Sequence, residues 1–482
     1  MGITRNYLYN VLLQISNILV PLITTPYVTR VLDPSGFGIV SFANSIIQYF
    51  ILFGTLGLNL YGNRLIAYVR DDREKLSKTF WELFWLRCIT VSIASGAYII
   101  FLLLLKPSFL VVYLIQILNL LATVLDLSFL FMGIEEFRIV SLRGFTARLI
   151  TAGLIFVFVK EKDDFVIYTS ISALGNLISQ LIVWKFLFRH ISKGISLSIK
   201  GLFKHLPGSL KLFVPLIAIQ VYTILDRTML GILSSKDQVG IYTPGLTLVK
   251  TALSLITALG TVMLPRISNL VSNRREDLIK NYAVKTFGFV TYAGLFLTLA
   301  LYLLTPDFVP IFFGKEFQPV LHVIKVVCPI VLFISWSNFF GIQLMVPMQL
   351  EKEFTLSVFI GAITNFSLNL FLISKYGAIG ASIATVFAEF LVTLSQMMFI
   401  RKIIDVPGLL RNSWKHFLSA FGTLVIYLTI NRWISFGGSF SSLLINGVLL
   451  TVSYMLIEKL LRSEINELVL GKVKISLKKV FH

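Results

Sequence analysis

The chain has 482 residues, of which 56% are hydrophobic and only 14% are charged, and its mean hydropathy is +0.83. So apolar a composition excludes an ordinary soluble enzyme. A net charge of +19 could suit a nucleic-acid-binding protein, but Lys and Arg are concentrated in the short segments on one side of successive apolar stretches. This asymmetry is typical of membrane topology, so we expect contact with anionic lipids and no nucleic-acid partner.

Fourteen apolar stretches, each long enough to cross a bilayer, follow one another along nearly the whole chain. About 20 helical residues span a hydrocarbon core of roughly 30 Å, and none of the stretches shows strand-like alternation. Because backbone amides inside lipid must be satisfied within their own segment, we predict an all-α integral membrane protein with about 14 transmembrane helices. The stretches are Tyr7–Arg30, Gly38–Tyr61, Phe80–Leu105, Pro107–Met132, Ile139–Val159, Phe165–Phe188, Leu212–Leu233, Gly240–Leu264, Ala283–Leu304, Val320–Leu344, Phe354–Ile373, Ala378–Ile400, His416–Ile434 and Phe440–Leu461.

The charge asymmetry places both termini in the cytoplasm, as an even number of spans requires. The first apolar stretch has no small-residue cleavage site and is expected to be the first span. No extramembrane segment is long enough for an ATPase domain, and the chain has no phosphate-binding G-x-x-x-x-G-K-[ST] loop. We therefore expect no cofactor and no metal site, and we expect any transport to use a gradient, with H⁺ or Na⁺ as possible coupling ions.

The two halves of the chain resemble each other. Gly38 opens the second span as Gly240 opens the eighth, and the polar positions of these two spans agree at the same offset of 202 residues. Such repeats are common in transporters, so we predict two six-helix lobes around a central cavity plus two C-terminal helices. The predicted parts are an N-lobe (1–188), a basic cytoplasmic linker (189–211), a C-lobe (212–400), and the last two helices with a basic cytoplasmic tail (401–482).

Polar side chains form stripes along several spans. Two interpretations are open, because small polar residues commonly join packed helices by hydrogen bonds, whereas converging stripes indicate a hydrated cavity. Several long stripes in one chain favour the cavity. The stripes are Ser41, Ser45, Gln48, Thr55 and Asn59 in span 2; Gln116, Asn119, Thr123 and Asp126 in span 4; Gln220, Thr223 and Arg227 in span 7; Thr243, Thr247, Lys250, Ser254 and Thr257 in span 8; and Ser382, Thr385, Glu389, Thr393 and Gln396 in span 12.

Three ionisable residues lie in spans 7 and 8. Lys250 lies ten residues into span 8 with no carboxylate within a helical turn. A lone ammonium at that depth is costly unless it faces water or an anion, which favours substrate binding. Asp226 and Arg227 are adjacent and point about 100° apart on a helix, so they need not pair with each other. Structural and functional roles are equally open for both, with Asp226 a candidate for ion coupling.

Four further charged residues each allow two interpretations. Glu389 at the centre of span 12 could exchange a proton in ion coupling or brace the helix bundle. Arg30 at the end of span 1 could reach lipid headgroups or the substrate. Arg87 and Asp126 lie nearer the cytoplasmic side, where they could form a gate or a structural ion pair.

Six short motifs, found in order along the chain, resemble Wzx-type flippases. This is the polysaccharide-transporter branch of the multidrug/oligosaccharidyl-lipid/polysaccharide exporter superfamily. The resemblance covers the whole chain, and the motifs are Asn6–Asn10, Pro21–Leu32, Tyr61–Arg64, Leu225–Gly231, Val239–Tyr242 and Met263–Ser268.

The resemblance implies two six-helix lobes around a central cavity and two peripheral helices. It also implies alternating-access transfer of an undecaprenyl-pyrophosphate-linked oligosaccharide repeat unit to the outer leaflet of the bacterial cytoplasmic membrane, for capsule, O-antigen or a similar polymer. A polysaccharide polymerase and chain-length machinery would be its partners. The family's cavity tends to be cationic, and the candidate substrate-binding residues here are Lys250, Arg227, Arg30, Gln48, Asn59 and Thr257.

Two other functions are considered. A cation-coupled multidrug exporter of the same superfamily would favour an acidic cavity, which Lys250 argues against. A polytopic glycan polymerase or glycosyltransferase would need catalytic carboxylates or a sizeable extracytoplasmic loop, and the outer loops here are short. The sequence therefore favours a transporter over an enzyme.

Overall fold

The computed structural model describes residues 3–192, 197–272, 276–433 and 440–467. Side chains are described for these residues except 3–15, 17, 214–216, 218, 219, 222, 258–266, 268, 269, 272, 276 and 433. The end of the predicted tail and part of the predicted linker 189–211 lie outside the described residues. Within them the chain is almost entirely helical and contains no β-strand, which confirms the all-α class.

The chain forms two compact units, Met1–Gly240 and Ile241–His482. In the first unit, α1 packs against α3, α4, α6 and α9, while α7 packs against α4 and α6. The helices of this unit are α1 (Ile3–Thr55), α2 (Leu58–Val69), α3 (Arg73–Leu105), α4 (Leu110–Val124), α5 (Ser128–Gly133), α6 (Phe137–Phe158), α7 (Phe165–Leu187), α8 (Ile199–Phe203) and α9 (Leu206–Leu233).

The second unit is centred on a long helix that contacts helices from both ends of this half of the chain. This helix, α11 (Glu276–Phe312), packs against α12, α13, α16 and α17. The remaining helices are α10 (Lys236–Ser272), which begins in the first unit, α12 (Val320–Val327), α13 (Ile330–Ser337), a π-helix (Asn338–Met345), α14 (Glu351–Ile400), α15 (Val406–Asn412), α16 (Trp414–Trp433) and α17 (Phe440–Leu460). The predicted division into lobes at 188 and 212 stays a prediction.

Two of the long helices are each a pair of helices joined without a loop. In α1, Asp33 takes a left-handed backbone conformation with φ 56°, and its Oδ1 accepts a hydrogen bond from the Gly36 amide at 3.0 Å. Pro34 follows, and its fixed φ suits the first position of a new helix. In α14 the break is at Gly377, with φ 53° and ψ −127°. Both breaks fall between stretches that are predicted to be separate spans.

Each of the fourteen predicted stretches coincides largely with helix. Nine helices in the described part of the chain are long and apolar enough to cross a membrane, or ten if the pair Val320–Val327 and Ile330–Met345, bent by 41°, is one span. Two of the nine are longer than one predicted stretch: Glu351–Ile400 contains two, and Ile18–Val69 contains the second and part of the first. A multi-pass membrane protein is therefore confirmed, while the number of fourteen crossings stays a prediction.

A buried polar cluster fixes the start of α9 to the helices before it. The Glu82 carboxylate on α3 accepts from Lys204 Nζ at 2.7 Å and lies 3.0 Å from His205 Nε2. Burial lowers the pKa of His205, although Glu82 partly offsets this. A neutral ring that donates from Nε2 to Glu82 and accepts at Nδ1 from the Tyr61 hydroxyl, 3.3 Å away, satisfies all three groups.

Two glycines let α1 and the first turn of α10 touch backbone to backbone. A Cβ on Gly38 would lie 1.8 Å from the Lys236 carbonyl oxygen, and a Cβ on Gly240 would lie 1.8 Å from the Pro34 carbonyl oxygen. Residues 34 and 236, like 38 and 240, are separated by 202 positions, so the contact is reciprocal under the predicted repeat offset. Only glycine fits at either position.

We expect Gly38→Ala and Gly240→Ala each to destabilise the protein by about 2 kcal/mol or more, because the backbone must move to admit the methyl group. Gly153→Ala is the matched control, since a Cβ there meets nothing within 4 Å and alanine favours helix. Thermal unfolding of the purified protein in detergent measures the effect. Equal melting temperatures for Gly38→Ala and Gly153→Ala would contradict the close contact.

Candidate functional site

A polar cavity of about 410 Å³ opens inside the first unit. Its size lies within the range of typical small-molecule sites, roughly 300–1,000 Å³. Polar side chains from five elements reach it, and three of the stripes predicted from the sequence, those of spans 2, 4 and 7, meet there. They are Gln48 and Thr55 of α1, Asn59 of α2, Thr123 of α4 with Asp126 just after it, Asn176 and Gln180 of α7, and Gln220 of α9.

The chemistry of the lining is mostly neutral. Five of the polar residues carry amides and two carry hydroxyls, while Asp126 is the charged member of the lining. Hydrocarbon offers such groups no hydrogen-bond partners, so a cavity of this kind holds water or a polar ligand. Amides both donate and accept, which suits hydroxyl groups of a ligand.

The Arg87 guanidinium lies fully buried behind the Asn59 side of the cavity. It donates from Nη1 to the backbone carbonyl of Asp126 and from Nη2 to Asn59 Oδ1. Its central carbon lies 4.6 Å from the centroid of the Phe129 ring, within cation–π range. Arg87 therefore orients Asn59 and fixes the end of α4 with charge-assisted hydrogen bonds.

A second arginine, half-buried on α6, links Asp126 to α7 through Ser128. Asp126 Oδ1 accepts from both the amide and the hydroxyl of Ser128, at the start of α5. The Arg143 guanidinium on α6 donates to Ser128 Oγ at 3.2 Å and to Gln180 Oε1 at 2.6 Å. Two positive groups and one carboxylate thus surround this end of the cavity, which leaves it with a net positive charge.

Amide groups also connect α4 with α7. Asn119 donates from Nδ2 to Gln116 Oε1 at 2.6 Å and accepts at Oδ1 from Asn176 Nδ2 at 2.9 Å. About two turns of α7 further on, the Trp184 indole donates to the Leu125 carbonyl at 3.0 Å. Part of the predicted span-4 stripe therefore forms interhelical hydrogen bonds, and the cavity lies beside them.

The structure brings some predicted site residues together and leaves others apart. Gln48, Asn59 and Asp126 line the polar cavity, and Arg87 contacts two of them. Their assignment to substrate binding and gating stays a prediction. The other predicted residues lie elsewhere, with Arg30, Asp226 and Arg227 also in the first unit and Lys250, Thr257 and Glu389 in the second.

In the second unit, Lys250 is half-buried on α10 among hydroxyl groups. Those hydroxyls bond back to their own helix: Thr247 donates to the Thr243 carbonyl at 2.7 Å, Thr251 to the Thr247 carbonyl at 2.8 Å, and Thr257 to the Ser254 carbonyl at 3.4 Å. Such bonds use the hydroxyl proton and leave the oxygen as an acceptor. These hydroxyl oxygens lie on the same helix as Lys250 and can still accept hydrogen bonds.

The remaining predicted residues differ in burial. Arg30 is exposed near the end of the first half of α1, Asp226 is buried on α9, and its neighbour Arg227 is half-buried. Beside them, the Thr228 hydroxyl lies 3.1 Å from Ser45 Oγ on α1. Glu389 is half-buried on α14, where its backbone carbonyl accepts from Thr393.

Three residues of this site were not selected from the sequence. Arg143 lies in span 5 beside other polar residues, and Asn176 and Gln180 continue a polar stripe of span 6 that includes Thr169 and Ser172. Asn176 and Gln180 are four residues apart and therefore share one helical face. That pairing is the signal that could have identified them.

Comparison with known proteins agrees with this architecture. A family model described as polysaccharide biosynthesis protein matches residues 3–271, which is more than half of the chain. The chain belongs to this family. A second family model, MatE, matches residues 212–374.

The chain also matches two relatives over nearly the whole length of those relatives. A protein of Escherichia coli (strain K12) named "Putative O-antigen transporter" is 28% identical over 407 residues, covering 83% of this chain and 97% of the relative. A protein of the same name from Shigella dysenteriae is 25% identical, covering 82% and 100%. These matches confirm the resemblance to the polysaccharide branch of the exporter superfamily.

Solved structures show the same fold at low sequence identity. The lipid II flippase MurJ in an inward closed conformation superposes with a TM-score of 0.73 at 15% identity, covering 94% of this chain and 98% of MurJ. An inward-facing multidrug resistance MATE family transporter of the MOP superfamily gives 0.59 at 12% identity, covering 80% and 94%. The chain thus has the all-α fold of these transporters.

Proposed function

We propose that this protein is a flippase, a transporter and not an enzyme. It moves an undecaprenyl-pyrophosphate-linked oligosaccharide repeat unit from the inner to the outer leaflet of the bacterial cytoplasmic membrane by alternating access, for a surface polysaccharide such as capsule or O-antigen. The observation that carries this proposal is the polar cavity of the first unit, lined by amides and hydroxyls and backed by Arg87 and Arg143. The names of its relatives support the same substrate class.

The physical reason lies in the substrate. Sugar hydroxyls and a pyrophosphate lose their hydration if they enter hydrocarbon, at a cost of several kcal/mol for each unsatisfied group. Side chains that both donate and accept replace water around the sugars, and fixed positive charge balances the phosphates. The lipid tail needs no such replacement, because it can stay in the bilayer throughout.

A multidrug exporter is the second candidate, favoured by the MatE match and by the MATE-like fold. Cationic drugs require acidic groups in their binding site. In the part of the first unit that the structure describes, the cavity has Asp126 with the buried Arg87 and the half-buried Arg143 guanidinium groups nearby. That charge balance favours an anionic or neutral hydroxylated ligand.

We place both termini in the cytoplasm, and we expect the protein to work beside a polysaccharide polymerase and its chain-length machinery. The concentration of Lys and Arg supports the orientation. Lys204 is exposed next to the α8–α9 junction, so a cysteine placed there reports the side directly. Labelling of that cysteine in intact cells by a membrane-impermeant thiol reagent would refute the orientation.

We expect Gln48→Leu combined with Gln220→Leu to lower export of the surface glycan about tenfold or more. Among the described residues neither side-chain amide has a hydrogen-bond partner, so removing both costs the fold little but deprives the ligand of two hydrogen bonds of about 1 kcal/mol each. Export is measured in a strain without other flippases, at matched membrane levels of protein. Asn412→Leu, which removes an exposed amide at the end of α15, is the control, and equal export by both variants would contradict the cavity's role.

We expect Lys250→Ala to abolish most export and Lys250→Arg to retain part of it, because the charge would balance the substrate's phosphates. Loss of that counter-charge in a partly desolvated site costs on the order of a few kcal/mol. Lys352→Ala, at an exposed lysine of α14, serves as the comparison in the same strain. Normal export by Lys250→Ala would remove this residue from the mechanism.

Coupling to H⁺ or Na⁺ is proposed for Asp226 and Glu389, the carboxylates in spans 7 and 12. If H⁺ drives export, a protonophore stops it and removal of Na⁺ does not; if Na⁺ drives export, the reverse holds. Asp226→Asn or Glu389→Gln should then abolish the response to the ion gradient. Export that persists without either gradient would contradict ion coupling.

A further inference from the structure

A buried carboxylate lies where three helices of the second unit meet. Asp307, near the end of α11, is only 8% exposed, and its Oδ2 accepts from Asn446 Nδ2 on α17 at 2.7 Å. One turn earlier on the same face of α11, Leu303 packs with Tyr427 of α16 and Leu450 of α17. The Leu303 carbonyl also accepts from the Tyr427 hydroxyl at 3.1 Å. Asp307 therefore belongs to the surface on which α16 and α17 pack.

Asp307 has no cationic partner in the part of the chain that the structure describes. None of the ion pairs among the described residues includes its carboxylate. Arg432, in the last turn of α16, is exposed, and it too is absent from the ion pairs of the described residues. A buried carboxylate without a counter-charge is costly unless it takes up a proton or binds a cation.

The oxygen atoms around Asp307 need more donors than the three helices supply. The Asn446 amide, only 3% exposed, donates from Nδ2 to Asp307 and, at 3.4 Å, to Ser442 Oγ. Both bonds use the nitrogen, so Asn446 Oδ1 is buried without a hydrogen-bond donor among the described residues. Pro310 has no N–H, so the carbonyl of Pro306, next to Asp307, loses its usual helical donor. Carboxylate oxygens and released backbone carbonyls are the ligands of hard cations.

The charge and the space of this site favour a small monovalent cation. One carboxylate balances one positive charge, whereas Ca²⁺ sites usually combine several carboxylates. No three His, Cys, Asp or Glu side chains come together among the described residues, so the site does not suit a transition metal. A proton satisfies a single acceptor, but several acceptors are present here. The 2.7 Å contact between Asp307 and Asn446 leaves little space, which favours Na⁺ over the larger K⁺.

We infer that Asp307 and Asn446 bind a Na⁺ ion where α17 packs on α11. The carboxylate and the Asn446 Oδ1 atom are its side-chain ligands, and the Pro306 carbonyl is the nearest backbone candidate. Asp307 lies three residues past the predicted span 9, near the start of α17, so the ion can enter from the aqueous phase. The site is separate from Asp226 and Glu389, the residues proposed for ion coupling, and it does not depend on the flippase proposal.

The experiment measures thermal unfolding of the full-length protein in detergent, at constant ionic strength and pH, while choline is replaced by Na⁺. A ligand that binds only the folded protein raises its melting temperature by mass action. We expect saturating Na⁺ to raise the melting temperature by roughly 3 °C or more, and K⁺ to raise it much less. Equal responses to Na⁺, K⁺ and choline would overturn the inference, and so would equal responses to Na⁺ and K⁺.

Variants of the two side-chain ligands locate the ion. Asp307→Asn keeps the shape of the side chain but removes its charge, so the response to Na⁺ should disappear. Asn446→Leu removes one ligand and should weaken the apparent Na⁺ affinity about tenfold. Asp277→Asn, at an exposed carboxylate near the start of α11, is the matched control and should respond as the wild type does. Unfolding in choline alone checks that each variant is folded, and a full Na⁺ response in Asp307→Asn contradicts the inference.

Other outcomes assign the ion or the carboxylate differently and would also overturn the inference. If Na⁺ has no effect but a lower pH stabilises the wild type and not Asp307→Asn, the carboxylate takes a proton. If the Na⁺ response is lost in Asp226→Asn or Glu389→Gln and kept in Asp307→Asn, the ion binds at the proposed coupling residues. Glycan export tests only the flippase proposal, because a protein that binds Na⁺ at Asp307 but supports no export keeps the site and is no flippase.

Discussion

The packing of the first unit depends on one buried charge, the Arg87 guanidinium, and on the protein groups that stabilise it in place of water. Arg87 lies inside α3, and an ionised side chain at such a position is stable only with hydrogen-bond acceptors and polarisable contacts around it. The Asp126 carbonyl, the Asn59 amide and the face of Phe129 supply these. Three helices are thereby held at one point. The cavity wall follows, because Asn59 and Asp126 are positioned by the same contacts.

Much of this arrangement could be predicted from the sequence. Long apolar stretches in lipid allow only helices, and stripes at helical spacing identified Gln48, Asn59 and Asp126. The breaks near Asp33 and Gly377 were also foreseen as ends of spans. The contact between Arg143 and Gln180 could not be predicted, because it depends on which helices pack together. Nor does a Thr in a stripe reveal whether its hydroxyl turns back to its own helix, as Thr247 does.

The two faces of α7 provide an apolar environment on one side of the helix and a polar environment on the other. On one face, leucine and isoleucine side chains continue the environment of the bilayer, and on the other, amides continue that of water. The apolar part of an amphipathic ligand therefore suits one face of α7, and its polar part suits the other face. Arg143 of α6, bonded to Gln180, lies at the boundary between these environments. The position of this boundary is set by side chains that also pack α6 on α7.

The neutral lining of the cavity has a consequence for evolution. An amide side chain can rotate to present either a donor or an acceptor, so Gln48 and Gln220, whose side-chain amides bond no other described residue, do not encode the pattern of one sugar. Exchanging either for another amide or a hydroxyl alters shape and spacing, while Arg87 and Arg143 keep their bonds to Asn59 and Gln180. Selection can then retune such a protein to a new glycan by a few changes on a constant scaffold. The side chains that line the cavity can thus change with the glycan, while the side chains behind them keep the fold stable.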